Sequence, residues 1–177
     1  MATESAGSQF HGYDVINRNL RARLFKTGSE FSFGKYIGSE QLGVILGQYV
    51  GDGNEMNFVN GNPNATNMAL WHVGLMALAK DLARLCSSGS TIQAEALNPK
   101  FAAAFAAVCD WPAASARSDS SLLAFWVSVM SYDAPESEYT AWKDYFQAQE
   151  FSNAGGEKII EGLLATIFLN PYFLLRA

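Results

Sequence analysis

Charged residues are scarce in this chain of 177 residues, and positively charged ones are the scarcer. Charged side chains make up 16% of the sequence, with 12 Lys and Arg against 17 Asp and Glu, which gives a net charge of −5. The basic residues form no run beyond the scattered Arg18, Arg21, Arg23 and Lys26, so the sequence disfavours a nucleic-acid partner. Hydrophobic residues reach 49%, which argues against disorder and predicts one domain with a sizeable core.

Long apolar runs are also missing, which excludes a membrane-spanning helix of about 18 residues or more. The run over 65–79 is interrupted by Asn67 and His72, and the run over 159–169 is too short. Residues 1–9 lack the charged and apolar parts of a signal peptide. We therefore predict a flexible lead-in over 1–10 and a single helical domain over 11–177. Such a lead-in fits a mature exported protein whose signal was replaced by a start Met, and it also fits a cytosolic terminus.

The sequence has only two cysteines, and neither belongs to a Cys-x-x-Cys or Cys-x-x-Cys-His pattern. Covalent haem attachment and thioredoxin-type redox chemistry are therefore excluded at these positions. Cys86 and Cys109 each end a predicted helix, so a bridge between them needs a crossing other than a simple antiparallel pair. Two alternatives stay open, namely two buried thiols or a structural disulfide, and the disulfide implies export.

Apolar residues recur at helical spacing along nearly the whole chain, which predicts an all-α fold. Asn62-Pro63 and Asn98-Pro99 are typical starts of helices, with Asn as the cap and Pro in the first turn. Short connections between the segments favour a compact bundle of six to seven helices. The predicted helices lie near 13–26, 39–51, 65–86, 99–109, 118–131, 136–152 and 157–170.

Two parts of this prediction depend on more than spacing. The alternation of aromatic and polar residues over 29–38 allows a short extended piece or hairpin, or a loop with anchoring aromatics. Apolar residues run nearly all round the helix at 118–131, so we expect that helix and the one at 65–86 to lie at the centre of the bundle.

The most polar stretch is the Asn-rich loop over 51–67, which contains six Asn and three Gly. Its first half carries the oxygen ligands that Ca²⁺ prefers, which makes Asp52, Asn54 and Glu55 candidate metal ligands beside Asn57. The EF-hand spacing is absent, and Gly and Asn are also the residues that build turns. A turn scaffold is therefore the alternative to a metal site.

The same loop leads into the helix that carries His72, which suggests a site for a small polar ligand. Asn side chains both donate and accept hydrogen bonds, and the helix start near Pro63 offers free N–H groups. The candidate ligand-binding residues are Asn57, Asn60, Asn64, Asn67 and His72. In the alternative interpretation, His72 is a buried or half-buried helix residue bonded to a neighbour.

No set of residues has the spacing of a known catalytic site, and we predict no catalytic residue and no cofactor. Cys86 and His72 lie on one predicted helix, about 21 Å apart at about 1.5 Å per residue, so they cannot act as a pair. An aromatic series suits either a sugar-binding surface or, as we expect, core packing between two helices; its members are Trp126, Tyr132, Tyr139, Trp142, Tyr145 and Phe146.

The end of the chain, residues 163–176, combines an apolar helix with the segment Asn170-Pro171-Tyr172-Phe173-Leu174-Leu175-Arg176. It resembles the closing helix and the small-Pro-aromatic-Phe-Leu-hydrophobic-Arg segment of planctomycete-type, cytochrome-associated helical domains of large exported bacterial proteins. The function of those domains is unknown. The resemblance implies an exported, helical, non-haem domain and identifies no catalytic residue.

These observations lead to two hypotheses. The first is a non-enzymatic interaction or structural module of an exported or envelope-attached bacterial protein, with a protein or envelope component as its partner. The second is a small polar ligand-binding or enzymatic site formed by loop 52–67 and the helix of His72.

Overall fold

The computed structural model of the protein describes residues 13–37, 65–110, 119–130, 135–148, 155–170 and 173. In these ranges the chain forms seven α-helices that pack through contacts distant in sequence, and it contains no strand. The predicted all-α class is therefore confirmed. The predicted lead-in over 1–10 and the predicted helix over 39–51 lie outside the described residues. The helices are α1 (Tyr13–Leu24), α2 (Gly34–Ile37), α3 (Ala65–Ala83), α4 (Pro99–Cys109), α5 (Asp119–Met130), α6 (Glu136–Ala148) and α7 (Gly156–Phe168).

Helix α7 forms the centre of the core. Its apolar residues recur every three or four positions and are buried along its length: Ile159, Ile160, Leu163, Leu164, Ala165, Ile167 and Phe168. Helix α3 packs along it, and α4 and α5 contact it as well. Each buried Leu or Ile contributes roughly 1.5–3 kcal/mol through removal of apolar surface from water. The continuous apolar face of α7 therefore makes it the main support of the bundle.

Helix α5, which we expect at the centre of the bundle, contacts α1, α4, α6 and α7 but does not bury all of its apolar residues. Helix α5 packs on its neighbours through one face, formed by Leu122, Phe125, Trp126, Val129 and Met130. The opposite face carries Leu123 and Val127, which are 46% and 55% exposed. Sequence periodicity records which residues are apolar, whereas burial depends on how many neighbours surround the helix. In the described part of the chain, α5 therefore packs on several helices and leaves one apolar face uncovered.

The segment before α2 is a loop with anchoring aromatics, so the hairpin alternative is wrong for residues 29–37. Phe33 is fully buried, and its backbone N–H donates to Oδ1 of Asn17 at 2.8 Å. Phe31 stacks on Phe25 with the ring centroids 4.0 Å apart. A side chain of α1 thus takes the hydrogen bond that a strand partner would have made, and the loop needs no sheet.

Gly74 lets α2 approach α3 closely. A Cβ atom at this position would lie 2.9 Å from Cγ1 of Ile37 and 2.9 Å from Cζ of Phe33. Both contacts are shorter than van der Waals packing permits, so a larger residue would push α2 away from α3.

Helix α4 begins where α1 ends. The backbone N–H of Asn98 donates to the carbonyl of Leu24 at 2.9 Å, and the N–H of Lys26 donates to the carbonyl of Ala96 at 2.8 Å. An isolated antiparallel bridge joins Phe25 to Leu97 at the same point. The Asn98 side chain accepts from the N–H of Lys100, which confirms the predicted Asn-Pro start of this helix. These bonds fix the position of α4 beside α1.

Candidate functional site

Most of the predicted ligand residues lie outside the described part of the chain. This applies to the metal candidates Asp52, Asn54 and Glu55 and to the ligand candidates Asn57, Asn60 and Asn64. Asn67 belongs to α3, but its side chain is not among those described. Across the described ranges, no three His, Cys, Asp or Glu side chains are grouped closely enough to hold a metal ion.

His72 lies in the first half of α3, and its side chain is exposed. The alternative that it is a buried or half-buried helix histidine is therefore wrong. Val73, the next residue, is 59% exposed, so this part of α3 presents an open face. The side chain of Trp71 is half-buried, and its indole Nε1 meets no hydrogen-bond acceptor among the described residues. The proposed role of His72 in binding a ligand remains a prediction.

Cys86 and Cys109 form a disulfide, with the two Cα atoms 5.3 Å apart. The alternative of two buried thiols is therefore wrong. The two cysteines come together because of the path of the chain between them. The segment after α3 runs to the end of α1, and α4 then runs back toward the end of α3. Cys86 lies in a 3₁₀ turn (Arg84–Ser87) that continues α3, and Cys109 ends α4. Two helix ends meet, which a simple antiparallel pair would not allow.

The most connected polar side chain in the described part is Asp81 on α3, which is only 7% exposed. Its Oδ1 accepts from the backbone N–H of Thr91 at 2.8 Å and from the Ser90 hydroxyl at 3.1 Å. Its Oδ2 accepts from the Thr91 hydroxyl at 2.5 Å and from the Tyr36 hydroxyl at 2.9 Å. Lys35 donates to the Thr91 hydroxyl at 2.9 Å. The carboxylate thus ties the loop after α3 and helix α2 to α3.

The electrostatics of this cluster favour an ionised Asp81. Burial raises the pKa of Asp81, but hydrogen bonds from Thr91, Tyr36 and Ser90 outweigh it, and its pKa lies below the ordinary value. Burial, followed by the hydrogen bond to Asp81 and its negative charge, raises the pKa of Tyr36 well above its ordinary range. Both carboxylate oxygens are occupied, so the cluster acts as an anchor rather than as an acid or base. Sequence reasoning missed it, and the only available signal was a Ser/Thr-rich loop near a lone helix acid.

The aromatic residues shared by α5 and α6 form core packing, as expected. Trp126, Trp142 and Phe146 are buried, with the two indole rings 5.1 Å apart between centroids. The indole N–H of Trp142 donates to the Thr166 hydroxyl of α7 at 3.0 Å. The sugar-binding alternative is therefore wrong for these three rings, because their faces are not available to a ligand. Tyr145 is instead 53% exposed, so the core-packing expectation does not hold for its ring, and Tyr132 lies outside the described residues.

An open groove of about 1150 Å³ lies between α4 and α5, and we call it the α4–α5 groove. Leu123 and Val127, one turn apart on α5, line one side. Small residues line the rest of its apolar surface, namely Ala22 of α1, Ala103, Ala104 and Ala107 of α4, and Ala124 of α5. Sequence reasoning missed this groove because apolar residues run nearly all round α5, and the sequence does not indicate which of its faces stays uncovered.

Two of the described residues that line the groove carry a charge, and both are cationic. Lys100 lies in the first turn of α4 and is exposed, and Arg23 lies near the end of α1. The guanidinium of Arg23 lies 5.1 Å from the centre of the Phe173 ring, which is a cation–π distance. The hydrogen bond between Asn98 and Leu24 brings the end of α1 to the start of α4. Both positive charges therefore lie at the same end of the groove.

Comparison with known proteins gives no match: no family model, no curated protein and no solved structure is significantly similar to the chain. The resemblance of residues 163–176 to exported helical domains therefore stays a prediction, and residues 171–172 and 174–176 of that segment lie outside the described ranges. None of the described helices has both the length and the apolar character that crossing a bilayer requires.

Proposed function

We propose that this chain is a non-enzymatic interaction module of an exported bacterial protein, and that the α4–α5 groove binds its protein partner. The observation that carries the proposal is the exposure of Leu123 and Val127 inside an open groove. Single exposed apolar residues are common, but here two lie together in an open groove beside small apolar residues, where a bound partner could cover them. The opposite face of α5 already supplies its contacts with the core, so folding does not require apolar residues on this side.

The disulfide supports the exported part of the proposal. Disulfides persist in the periplasm and outside the cell, whereas reducing systems keep most cytosolic thiols free. The bond between Cys86 and Cys109 is consistent with an oxidising compartment. Fractionation of the native host, combined with alkylation of free thiols, tests this part. We expect the chain in the envelope or secreted fraction with both cysteines blocked to alkylation, and a cytosolic chain with two free thiols would contradict export.

The non-enzymatic part is supported by the state of Asp81. A catalytic carboxylate needs at least one oxygen that can reach a substrate or a water molecule. Both oxygens of Asp81 instead accept hydrogen bonds from Tyr36, Ser90 and Thr91. This buried acid serves to hold the loop after α3.

Photo-crosslinking inside the native host tests the groove as the interaction site. A photoreactive amino acid replaces Val127 in one variant and Val73 in a matched control, because both are valines exposed on helices, by 55% and 59%. We expect one defined adduct from position 127, and we expect Val127→Asp to remove adducts formed from a second probe at Leu123. Equal adducts from positions 127 and 73, or none from position 127, would contradict the proposal.

A second candidate function is a small polar ligand site on the face of α3 that carries His72. It is favoured by the exposure of His72 and by the indole N–H of Trp71, which has no acceptor among the described residues. Adducts or ligand effects confined to position 73 would support this candidate over the groove.

A further inference from the structure

We propose that a cleft beside the end of α1, which we call the α1 cleft, binds a phosphate group. The cleft has a volume of about 320 Å³ and lies between the second half of α1 and the turn that follows it. Its described lining residues are Asn17, Arg18, Arg21, Ala22, Phe25, Lys26, Thr27 and Gly28. Of these, only Ala22 also lines the α4–α5 groove, so the α1 cleft is a different site and does not depend on the proposed partner.

The α1 cleft concentrates positive charge on an acidic chain. The net charge is −5, yet four of the 12 Lys and Arg residues lie within nine consecutive positions that hold no Asp or Glu. Three of the four, Arg18, Arg21 and Lys26, line the cleft with exposed side chains. Glu30, the next acid after them, forms no ion pair with them, and the side chain of Asp14 is not among those described. The described lining of the cleft is therefore uniformly positive.

Compensation of the helix dipole does not account for all three charges. A cation in the last turn of a helix interacts favourably with its negative end, and Arg21 lies in the last turn of α1. Arg18 lies more than one turn before the end of α1, and Lys26 lies beyond it. The terminal carbonyl of Leu24 already accepts from the N–H of Asn98 at 2.9 Å, which reduces the repulsion between this helix end and an anion.

Hydrogen bonds hold the cations around the cleft. Nη2 of Arg21 donates to the carbonyl of Ser29 at 3.1 Å, and the other N–H groups of the guanidinium stay available. The backbone of Lys26 is fixed on both sides, because its N–H donates to Ala96 at 2.8 Å and its carbonyl accepts from Ser29 at 3.1 Å. Arg18 lies three residues before Arg21, on the same side of the helix. Donors that are already ordered lose less conformational freedom when a ligand binds.

The turn after α1 adds neutral donors. The hydrogen bond between Lys26 and Ser29 spans Thr27 and Gly28, whose own N–H groups make no hydrogen bond within the described part of the chain. Gly28 has a φ of 85°, which glycine adopts without strain. A Cβ atom at Gly28 would meet no atom within 4 Å, so this side of the turn is open. Successive N–H groups of a turn are a recurring anion-binding element.

These donors suit phosphate better than they suit a carboxylate. A guanidinium pairs with two oxygens at once, whereas a lysine supplies a point charge. A phosphate group offers three strong acceptor oxygens, so it can bind Arg18, Arg21 and Lys26 together. One arginine already satisfies both oxygens of a carboxylate. The ligand is therefore a phosphate group, carried either by a small molecule or by an anionic lipid headgroup.

Titration with inorganic phosphate tests the α1 cleft. Nuclear magnetic resonance spectra of the full oxidised chain are recorded at pH 7 with sodium phosphate and, at equal ionic strength, with sodium chloride, because salt alone screens exposed charges. We expect saturable shifts of the amide signals of Thr27 and Gly28 with phosphate and none with chloride. Shifts that do not saturate, or equal shifts with the two salts, would overturn the site.

Variants of equal net charge separate a site from general attraction. Arg18→Gln with Lys26→Gln removes two cations of the cleft, and Lys80→Gln with Lys158→Gln removes two exposed lysines on α3 and α7. We expect the first pair to weaken phosphate binding about tenfold, because two of three charge contacts are lost. The second pair should change it less than about twofold. Circular dichroism of each variant controls for folding, and equal weakening by the two pairs would overturn the proposal.

Vesicle flotation distinguishes the two sources of the phosphate. The vesicles consist of phosphatidylcholine, with or without phosphatidylglycerol. Flotation with the anionic vesicles alone, lost in the cleft pair and kept in the lysine pair, would assign the lipid headgroup. Saturable phosphate binding without flotation would assign a small phosphate compound. Flotation without any phosphate-induced shift would overturn the site, and these variants leave Leu123 and Val127 intact, so the outcome does not bear on the α4–α5 groove.

Discussion

Thr91 binds Asp81 twice, through its backbone N–H to Oδ1 at 2.8 Å and through its hydroxyl to Oδ2 at 2.5 Å. One residue of a loop therefore occupies both oxygens of a buried carboxylate on α3. The Tyr36 hydroxyl joins from α2 at 2.9 Å, so three segments that are distant in sequence depend on one charge.

This relationship predicts a loss of stability in acid. The pKa of Asp81 lies below its ordinary value of 3.8 in the folded chain, so the folded state holds the ionised form more strongly than the unfolded state does. The ionised carboxylate of Asp81 therefore contributes to the free energy of unfolding. This contribution is fully present above the pKa that Asp81 has in the unfolded chain, and it is lost as the pH falls through the lower pKa of the folded chain. Urea unfolding between pH 7 and pH 2 should show this loss, and Asp81→Asn should remove this part of the pH dependence.

At neutral pH, Asp81→Asn should itself cost about 1–3 kcal/mol, because an amide cannot accept at both ends and leaves buried donors poorly satisfied. Glu161→Gln is the control, since Glu161 is a helix acid for which the structure shows no comparable bonds. An Asp81→Asn variant with unchanged stability and an unchanged acid profile would contradict the role of the cluster.

The disulfide should add stability by restricting the unfolded chain. Its cysteines are 23 residues apart. In the chain-entropy model, closing a loop of this length in the unfolded chain raises the free energy of unfolding by about 3 kcal/mol. We expect a Cys86→Ser, Cys109→Ser double variant to unfold at lower urea concentration with an unchanged helical spectrum. A reductant should shift the wild type to the midpoint of the double variant and leave the variant itself unaffected. Identical midpoints for oxidised and reduced wild type would contradict this prediction.

Gly74→Ala should destabilise the fold although alanine favours helices. The gain in helix propensity is about 1 kcal/mol, but the added Cβ would lie 2.9 Å from atoms of Ile37 and Phe33. Overpacking of this kind costs typically about 1–3 kcal/mol, which outweighs the gain in propensity. We therefore expect a lower free energy of unfolding, which urea unfolding measures.

Gly162→Ala in α7 is the matched control. Its added Cβ would meet Cε1 of Phe146 at 3.8 Å, which is an ordinary contact. This variant should therefore keep most of the propensity gain of about 1 kcal/mol. If Gly74→Ala stabilises the chain as much as Gly162→Ala does, the close packing of α2 on α3 is not present in solution.

The His72 hypothesis predicts a ligand-dependent rise in melting temperature. A thermal-shift panel of metals, sugars and nucleotides tests it with wild type, His72→Ala, Asn64→Ala and Asn67→Ala. A bound ligand at about 100 times its Kd stabilises the folded state by about 2.7 kcal/mol. One ligand class that stabilises wild type but not the variants would support the site. No shift with any ligand, and variants that only lower the melting temperature, would leave the Asn-rich loop as a scaffold.

Local signals in the sequence predicted the parts of the fold that depend on local chemistry. The Asn98-Pro99 pair gave the start of α4, because the cap and the fixed proline φ act within one turn. The exposure of Leu123 and Val127 could not be predicted from the sequence, because it depends on which helices surround α5. The disulfide stayed one of two alternatives because its formation depends on the path of the chain between α3 and α4. The Asp81 cluster joins residues 36, 81 and 91, and no local pattern links positions so far apart.

Helix α4 is fastened at both of its ends. Backbone hydrogen bonds tie its start to α1, and the disulfide ties Cys109 at its end to the turn that continues α3. One wall of the groove is thereby preorganised, so a partner of the proposed kind would bind there without having to order α4. Loss of the covalent tie would release one end of that wall, and the redox state of the compartment would then set the affinity of the groove for its partner without any change in the residues that touch it.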